Sequence, residues 1–383
     1  MYLLNMIRRY KDIFKSEKKY LLRVIINKKR LEENIDFFKS VFPKHQLSVV
    51  LKSNAYGHGL KEMGLLLDKD KRIDFFVVDS LVEAKILRDY GIKKSIIILG
   101  YVSRGAIEDL KSIKNVILII NSFEQAKYIA NQVKFKLRVH LKIDTGMNRQ
   151  GMSFDELKKA IEILKDVKNI NVDGLMSHLA DADNQDDTST QIQIRRWQNA
   201  INLFRHYYVG GVHHFSATAG TKYLSQSPSN LIRVGIGAYG FDMTIDKRLK
   251  VKPILSFVAK VVNIKRLKKG EDVGYNFTYK APKDMTIAVV PCGYYEGIPR
   301  SMSNKGVMYY QNVPLPILGR VSMNLTILDI TAVDDRIGVE DEVEVYSNNP
   351  SKDNSIESVA KICDTIPYEI MVRINSGIRR FVE

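Results

Sequence analysis

The side chains best placed to do chemistry begin with Lys52. It follows the apolar run Leu47–Leu51 and precedes the polar stretch Ser53-Asn54-Ala55-Tyr56-Gly57-His58-Gly59. A short apolar run bounded in this way reads as a buried strand with the lysine at its carboxyl end. Moving an ammonium out of water is costly. A desolvated lysine gives up its charge and can link covalently to an aldehyde cofactor. The alternative is a surface lysine that happens to follow a strand. Further polar residues close other apolar runs. Lys142 and Asp144 end Leu137–Ile143, and Thr145-Gly146-Met147-Asn148-Arg149 follow. His178 comes just after Gly174-Leu175-Met176, residues 216–220 follow Val212–Phe215, and Arg233 lies in the run 231–236. Each has a plainer reading: a local Lys142–Asp144 ion pair, a satisfied core histidine, an arginine paired with a buried acid. His213-His214 has no acidic partner at metal-ligand spacing and reads as strand packing. Asp181, Asp183, Asp186 and Asp187 lack the glycine and terminal glutamate of a calcium loop, so a solvated loop and no metal site are expected.

These residues need elements to position them. Apolar runs of strand length occur at 20–26, 47–51, 73–78, 95–99, 116–120, 137–143, 170–176, 212–216 and 231–236. Segments of helical periodicity lie between them. Ser80-Leu81-Val82-Glu83 and Ser153-Phe154-Asp155-Glu156 are capping boxes, and Ser122-Phe123-Glu124-Gln125 is the glutamine version. Gly91 is placed to stop the helix that Ser80 starts, whose apolar face is read as Leu81, Ala84, Ile86 and Leu87. Strands alternating with helices imply a parallel sheet covered on both faces. Eight strand–helix repeats after the first run predict an α/β fold, a (β/α)8 TIM-type barrel, with a doubly wound open sheet as the alternative. In such a barrel the chemistry lies at the carboxyl ends of the strands, where the polar residues fall.

The pattern changes after 245. Strand-like runs dominate at Ile254–Ile264, Thr286–Pro291, Val307–Tyr310, Ile317–Val321, Leu325–Ile330 and Glu342–Tyr346, with Lys269-Gly270 and Gln311-Asn312-Val313-Pro314 as turns and one helix near 355–365. The expected organisation is a basic extension over 1–19, a barrel over 20–245 and a mostly β C-terminal domain over 246–383, with the run 20–26 free to join the β domain instead.

The formal charge of +16 raises nucleic acid or a membrane surface as partners. Its distribution argues otherwise: residues 1–30 carry ten Lys/Arg against Asp12 and Glu17, half of the excess, and no nucleic-acid-binding motif is present. In that tail Leu3, Met6, Ile7, Tyr10, Ile13 and Phe14 fall at helical spacing, which suits a membrane-surface helix, a helix packed on the body or a poorly ordered extension. No stretch reaches the ~20 apolar residues of a membrane span. Cys292 and Cys363 are far apart and fit a reducing compartment. A cytoplasmic location is expected.

From about residue 20 to the end, the chain resembles the alanine racemase family, pyridoxal-phosphate enzymes built from a barrel and a β domain. The resemblance is carried by Val50-Leu51-Lys52-Ser53-Asn54-Ala55-Tyr56-Gly57-His58-Gly59, Lys142-Ile143-Asp144-Thr145-Gly146-Met147, Gly174-Leu175-Met176-Ser177-His178, Ile232-Arg233-Val234-Gly235-Ile236, Gly274-Tyr275-Asn276-Phe277-Thr278-Tyr279 and Gly319-Arg320-Val321-Ser322-Met323. It implies an enzyme that interconverts L- and D-alanine and supplies D-alanine for peptidoglycan. By resemblance Lys52 carries pyridoxal 5'-phosphate and is one catalytic base, and Tyr275, from the other subunit of a homodimer with shared active sites, is the second. Tyr275 would lean on His178 and, through it, on Arg233, which matches the residue facing the pyridine nitrogen. Tyr56, Thr218, Tyr368 and the amides of Gly235 and Ile236 match the phosphate contacts. Arg149 matches the residue reaching the cofactor hydroxyl and the substrate carboxylate, and Lys142 a lysine that is carbamylated in many relatives. Tyr294 and the backbone of Met323 match partner-supplied groups at the entrance. Departures from the family pattern are Ala217 before Thr218, Ser322, Asn324, and Tyr295-Glu296. Those near the entrance keep a serine or broad-specificity amino-acid racemase as the alternative.

Overall fold

The computed structural model describes residues 18–184 and 186–383. The basic extension expected over 1–19, with its helical spacing, lies outside the described residues apart from Lys18 and Lys19. The chain forms two compact units, one of residues 33–53 and 63–251, the other of the described residues up to Glu32 together with 54–62 and 252–383.

Strand β1 (Leu22–Ile26) belongs to the second unit. The first unit contains β2 (Gln46–Val50), β3 (Phe75–Val78), β4 (Ser95–Ile98), β5 (Val116–Ile120), β6 (Leu137–Lys142), β7 (Ile170–Met176), β8 (Val212–His214) and β9 (Leu231–Val234). They form one parallel sheet in the order β8-β7-β6-β5-β4-β3-β2-β9. Beyond β8 the chain bridges back to β9 at Ala217–Arg233, and the Arg233 amide donates to Ser216 O at 3.1 Å. The eight strands thus curl into a nearly closed barrel and not an open sheet. Runs such as Phe75-Phe76-Val77-Val78 and Val116-Ile117-Leu118-Ile119-Ile120 are buried along their whole length, as strands covered on both faces must be.

The helices begin where their caps place them. Ser80 and Ser153 form reciprocal boxes with Glu83 and Glu156. Ser122 accepts from the Gln125 amide, but the Gln125 side chain reaches one residue further back, to the Asn121 amide at 2.8 Å. The helix Leu81–Asp89 stops before Gly91, at φ +79°. It buries Leu81, Ala84 and Leu87, whereas Ile86 is exposed. At 100° per residue Ile86 lies well off the buried stripe.

The second unit is built on a nine-stranded sheet. Its further strands are β10 (Leu255–Lys260), β11 (Asn263–Leu267), β12 (Asp272–Val273), β13 (Tyr279–Lys280), β14 (Met285–Val290), β15 (Val307–Tyr310), β16 (Val313–Leu318), β17 (Thr326–Asp329), β18 (Glu342–Tyr346) and β19 (Arg379–Val382). The order is β11-β14-β17-β16-β15-β18-β10-β1-β19, with β12-β13 a separate pair. The run Ile254–Ile264 is therefore two strands at distant places in the sheet. At the break, the Val261 amide donates to Asp341 O and the Val262 amide to Val289 O, so successive residues pair with different neighbours. β16 starts at Val313, ahead of the expected 317, because Gln311 and Asn312 form a two-residue hairpin turn with Gln311 at φ +53°. Pro314 and Pro316 are tolerated because β16 pairs with β17 only through Ile317 and Leu318.

Between the two units the chain passes through one unusual turn. Ser53, Asn54, Ala55 and Tyr56 all have φ between +52° and +55°. This is a left-handed turn in L-residues, costing roughly 1–2 kcal/mol per residue, and it begins directly after Lys52. Within the second unit it is tied down by Gly57. A Cβ there would lie 2.0 Å from Met371 O, and Arg380 donates to Gly57 O through Nε and Nη2 at 3.2 and 3.0 Å.

Candidate active site

In the barrel unit the expected rim residues come from strand ends. Lys52 follows β2, Lys142 ends β6, His178 lies two residues beyond β7, Thr218 follows β8, and Arg233 is in β9. Arg233 is 2 % exposed. Its Nη1 donates to His214 Nδ1 (2.9 Å) and His214 O (2.7 Å). Its Nη2 donates to Ser177 O (2.9 Å), His178 Nδ1 (3.0 Å) and Phe215 O (3.1 Å). A guanidinium presents a rigid fork of donors, so this many acceptors fix its plane.

The two imidazoles take their state from that arginine. Burial, then the charges of Arg233, Arg149, Lys142 and Lys52, push His178 down to about 3. His178 is neutral near pH 7, accepts at Nδ1, and so carries its proton on Nε2. Burial and the Arg233 charge likewise hold His214 well below the ordinary histidine value.

Lys142 is 6 % exposed, and its Nζ donates to Gln150 Oε1 at 3.1 Å. Burial, with the charges of Arg149, Arg233 and Lys52 and against that of Asp144, lowers its pKa to about 8. The local ion pair with Asp144 is not what the site uses. Asp144 Oδ1 accepts from the amides of Gly146, Met147 and Asn148 at 2.8, 2.9 and 3.2 Å and so shapes the loop that carries Arg149. Thr218 Oγ1 accepts from Gly235 N (3.2 Å) and from Gly237 N (3.3 Å). Gly237 was not singled out in the sequence. Its Cβ would meet Thr218 Cγ2 at 2.7 Å and Phe38 at 2.6 Å, so only glycine permits this convergence. Ile236 lies between these two glycines.

The sequence also missed a chain of polar groups inside the barrel. The expected strand packing holds for His213, which lies edge-on to Phe204 at 5.5 Å. It does not hold for His214, whose Nε2 lies 2.8 Å from His140 Nδ1. The alternation Arg138, His140, Lys142 along β6 was the available signal: a spacing of two puts three basic groups on one face of a strand.

The second unit holds the other expected residues. The Tyr56 and Tyr368 rings lie 5.9 Å apart. Tyr275 is 68 % exposed, and Phe277, Tyr294, Tyr295 and Met323 are exposed as well. The Tyr294 and Tyr295 amides donate to Ser322 O (3.0 Å) and Met323 O (2.9 Å). Asn324 Nδ2 donates to Glu296 Oε1 at 2.8 Å, and Gly293 N donates to Glu296 Oε2 at 2.8 Å. Two of the family departures, Glu296 and Asn324, are thus one hydrogen-bonded pair.

A parallel barrel with cationic side chains gathered at the carboxyl ends of its strands, joined to a β-sheet unit, defines a two-domain α/β-barrel enzyme. Comparison with known proteins makes the class specific. Residues 26–242 match the model of the alanine racemase N-terminal domain and residues 254–382 that of the C-terminal domain. The chain is 32% identical over 368 residues to an alanine racemase of Borreliella burgdorferi, covering 93% of this chain and 96% of that one. Its fold matches the solved alanine racemase of Clostridium difficile 630 with a TM-score of 0.87 at 28% identity, covering 95% and 96% of the two chains. It also matches that of Bartonella henselae, solved with covalently bound pyridoxal phosphate, with a TM-score of 0.82 at 24% identity over 95% and 100%. The chain belongs to the alanine racemase family, a family of amino-acid isomerases.

Proposed function

We propose that the chain is a pyridoxal-phosphate-dependent, homodimeric racemase that interconverts L- and D-alanine and, in the cytoplasm, supplies D-alanine for peptidoglycan. The observation that carries the reading is the cationic rim, where Lys142 is pushed down to about 8 by burial and by Arg149, Arg233 and Lys52. Asp144, the acid that opposes them, already spends one oxygen on three amides. Such a site calls for an anion, and a phosphate-bearing cofactor with a carboxylate substrate suits it. The buried Ser216 hydroxyl, which has no hydrogen-bond partner among the described residues, fits the same need. Two free cysteines agree with the location.

In this reading Thr218, Gly235 and Ile236 hold the phosphate from the barrel side, and the resemblance adds the hydroxyls of Tyr56 and Tyr368. Bound pyridoxal phosphate supplies an aldehyde that joins the substrate amine and a ring that draws electrons from Cα. Arg233, permanently charged, would hold the ring side of the cofactor, and a guanidinium there would disfavour protonation of the ring nitrogen and limit side reactions such as transamination. Racemisation needs a proton removed from one face of Cα and one returned to the other. Lys52 Nζ serves one face. Tyr275 Oη of a second copy serves the other, each contributing about 10²–10⁴-fold. The exposure of Tyr275 on its own unit supports delivery to a second copy. His178 keeps its Nε2 proton while Nδ1 accepts from Arg233, so it can donate to the tyrosine oxygen. Arg149 binds the substrate carboxylate, with the Met323 backbone and Tyr294 at the entrance.

A chiral assay with purified protein and L-alanine tests the reaction, and absence of D-alanine refutes it. Borohydride trapping should fix the cofactor on Lys52 and fail in Lys52→Ala. Tyr275→Phe should retain the trapped cofactor, slow racemisation in both directions, and suppress exchange of the α-proton with solvent from L-alanine more than from D-alanine. The exposed Tyr295 and Asn324 favour testing the second reading: equal efficiency with L-alanine, L-serine and L-lysine would replace alanine by a broader substrate class.

A further inference from the structure

The polar chain behind Arg233 runs through the barrel interior. Arg233 Nη1 donates to His214 Nδ1, so His214 carries its proton on Nε2. That proton points at His140 Nδ1, 2.8 Å away, which must therefore accept. The His140 proton is left on Nε2, 3.2 Å from Asp173 Oδ1. This last contact is an electrostatic approach that falls short of hydrogen-bond geometry, and neither atom has a hydrogen-bond partner among the described residues. Arg138 Nε anchors the far oxygen, Asp173 Oδ2, at 2.7 Å. Both histidines are fully buried.

Two backbone features build this chain deliberately. Val139 pairs with Val172 and His140 with Gly174, so Asp173 is the extra residue of a bulge in β7. Bulges re-aim side chains, and this one turns Asp173 toward both Arg138 and His140. Gly174 then clears room for the ring: a Cβ there would lie 2.3 to 2.5 Å from three atoms of the His140 imidazole. Burial and charge agree on the protonation states. Burial lowers His140 below the ordinary histidine value although Asp173 opposes it. Burial opposes ionisation of Asp173, but the His140 N–H and the hydrogen bond and charge of Arg138 prevail and keep its pKa lowered.

We infer that His140 and Asp173 are positioning residues of the active site, which through His214 fix the pose of the Arg233 guanidinium. An ionised carboxylate only accepts, so Asp173 sets the His140 proton on Nε2. His140 then sets the His214 proton on Nε2. That leaves His214 Nδ1 as an acceptor for Arg233. Inverting either ring would set a donor against a donor at Arg233 and release one arm of its fork. The inference rests on the proposed role of Arg233 facing the cofactor ring.

The test uses the holoenzyme with ¹⁵N-labelled histidine. NMR should find His140 and His214 neutral, each with its proton on Nε2. Asp173→Asn should shift protons to Nδ1 on both rings and lower kcat by about 10–100-fold, the usual effect of removing a group that orients a catalytic partner, with KM changed by less than about threefold. Asp173→Glu should restore the tautomers and most of kcat. An Nδ1–H or imidazolium form in the parent protein, or an Asp173→Asn variant with parental tautomers or parental kcat, would overturn the inference. His140→Phe should match the kcat loss; should it not fold, Asp173→Asn decides alone. Loss of racemisation in the parent enzyme would sink the proposed function instead, and the tautomers would still be readable.

Discussion

Raising dissolved carbon dioxide should modify Lys142. With a pKa lowered to about 8 by burial and by Arg149, Arg233 and Lys52, about one molecule in ten holds the neutral amine at pH 7. An ordinary lysine, near 10.4, does so about once in several thousand, a difference of roughly 300-fold. Only the neutral amine attacks carbon dioxide. A nitrogen–carbon bond forms, one amine proton leaves to solvent, and the product is an anionic carbamate. The exchange turns a cation crowded by three others into an anion attracted by them, so the surroundings that favour the reactive form also favour the product. A carbamate would pull Arg149 toward the rim and steady it for a substrate carboxylate. With ¹³C-labelled bicarbonate, the parent protein should show a carbamate resonance that disappears on acidification and is absent in Lys142→Ala. A parent spectrum without such a signal at saturating bicarbonate would refute the reasoning. So would a Lys142 no more reactive than exposed lysines toward an amine-selective reagent at pH 7.

Three further outcomes follow from the same contacts. Burial holds His58 and His178 down to about 3 and His213 to about 4, against 6.5 in the unfolded chain; the unfolded state therefore takes up protons first, and stability should fall from pH 6.5 toward 4, each group adding up to about 1.4 kcal/mol per pH unit, whereas a flat unfolding midpoint between pH 6.5 and 5 would contradict this. Gly57→Ala places a Cβ 2.0 Å from Met371 O at φ +82° and should cost about 2 kcal/mol or more, from left-handed strain and overpacking, to be read from urea unfolding; parental stability would be the wrong result. Asn324→Asp sets a carboxylate against Glu296 Oε1, now 2.8 Å from an amide donor, and should destabilise by about 1–3 kcal/mol, a loss that Glu296→Gln should reverse; additive single effects in a double-mutant cycle would show that the pair is not coupled.

The barrel and its rim were legible because each depends on local contrast. A strand covered on both faces must be apolar throughout, and a polar residue at its end stands out: Lys52 after Leu51, Lys142 before Ile143, His178 after Met176. Serine caps and Gly91 then marked the helices between. What escaped depends on who lies beside whom. Ile254–Ile264 is one apolar run by composition and two strands by pairing, because Val261 and Val262 bond to different neighbours. The left-handed turn Ser53–Tyr56 has only Asn54 to announce it; the rest is imposed by tertiary contacts such as Arg380 on Gly57.

The same distinction separates the two layers of the candidate site. His178 lies just past a strand end and Arg233 is a cation within an otherwise apolar strand, so their types suggested chemistry at once. His140 and Asp173 sit inside strands, and His214 ends β8 within the longer apolar run 212–216, where a polar residue reads as packing. Their meaning lies in a register shift of one residue between β6 and β7 and in the missing Cβ of Gly174. A bulge cannot be seen in one strand, because it is a difference in count between two. Gly174 is where the two strands meet this requirement. If its absent side chain serves the His140 ring, Gly174→Ala should disturb the His140 and His214 tautomers before it disturbs the barrel, since the nearest atoms a Cβ would meet are those of the imidazole and not of the backbone.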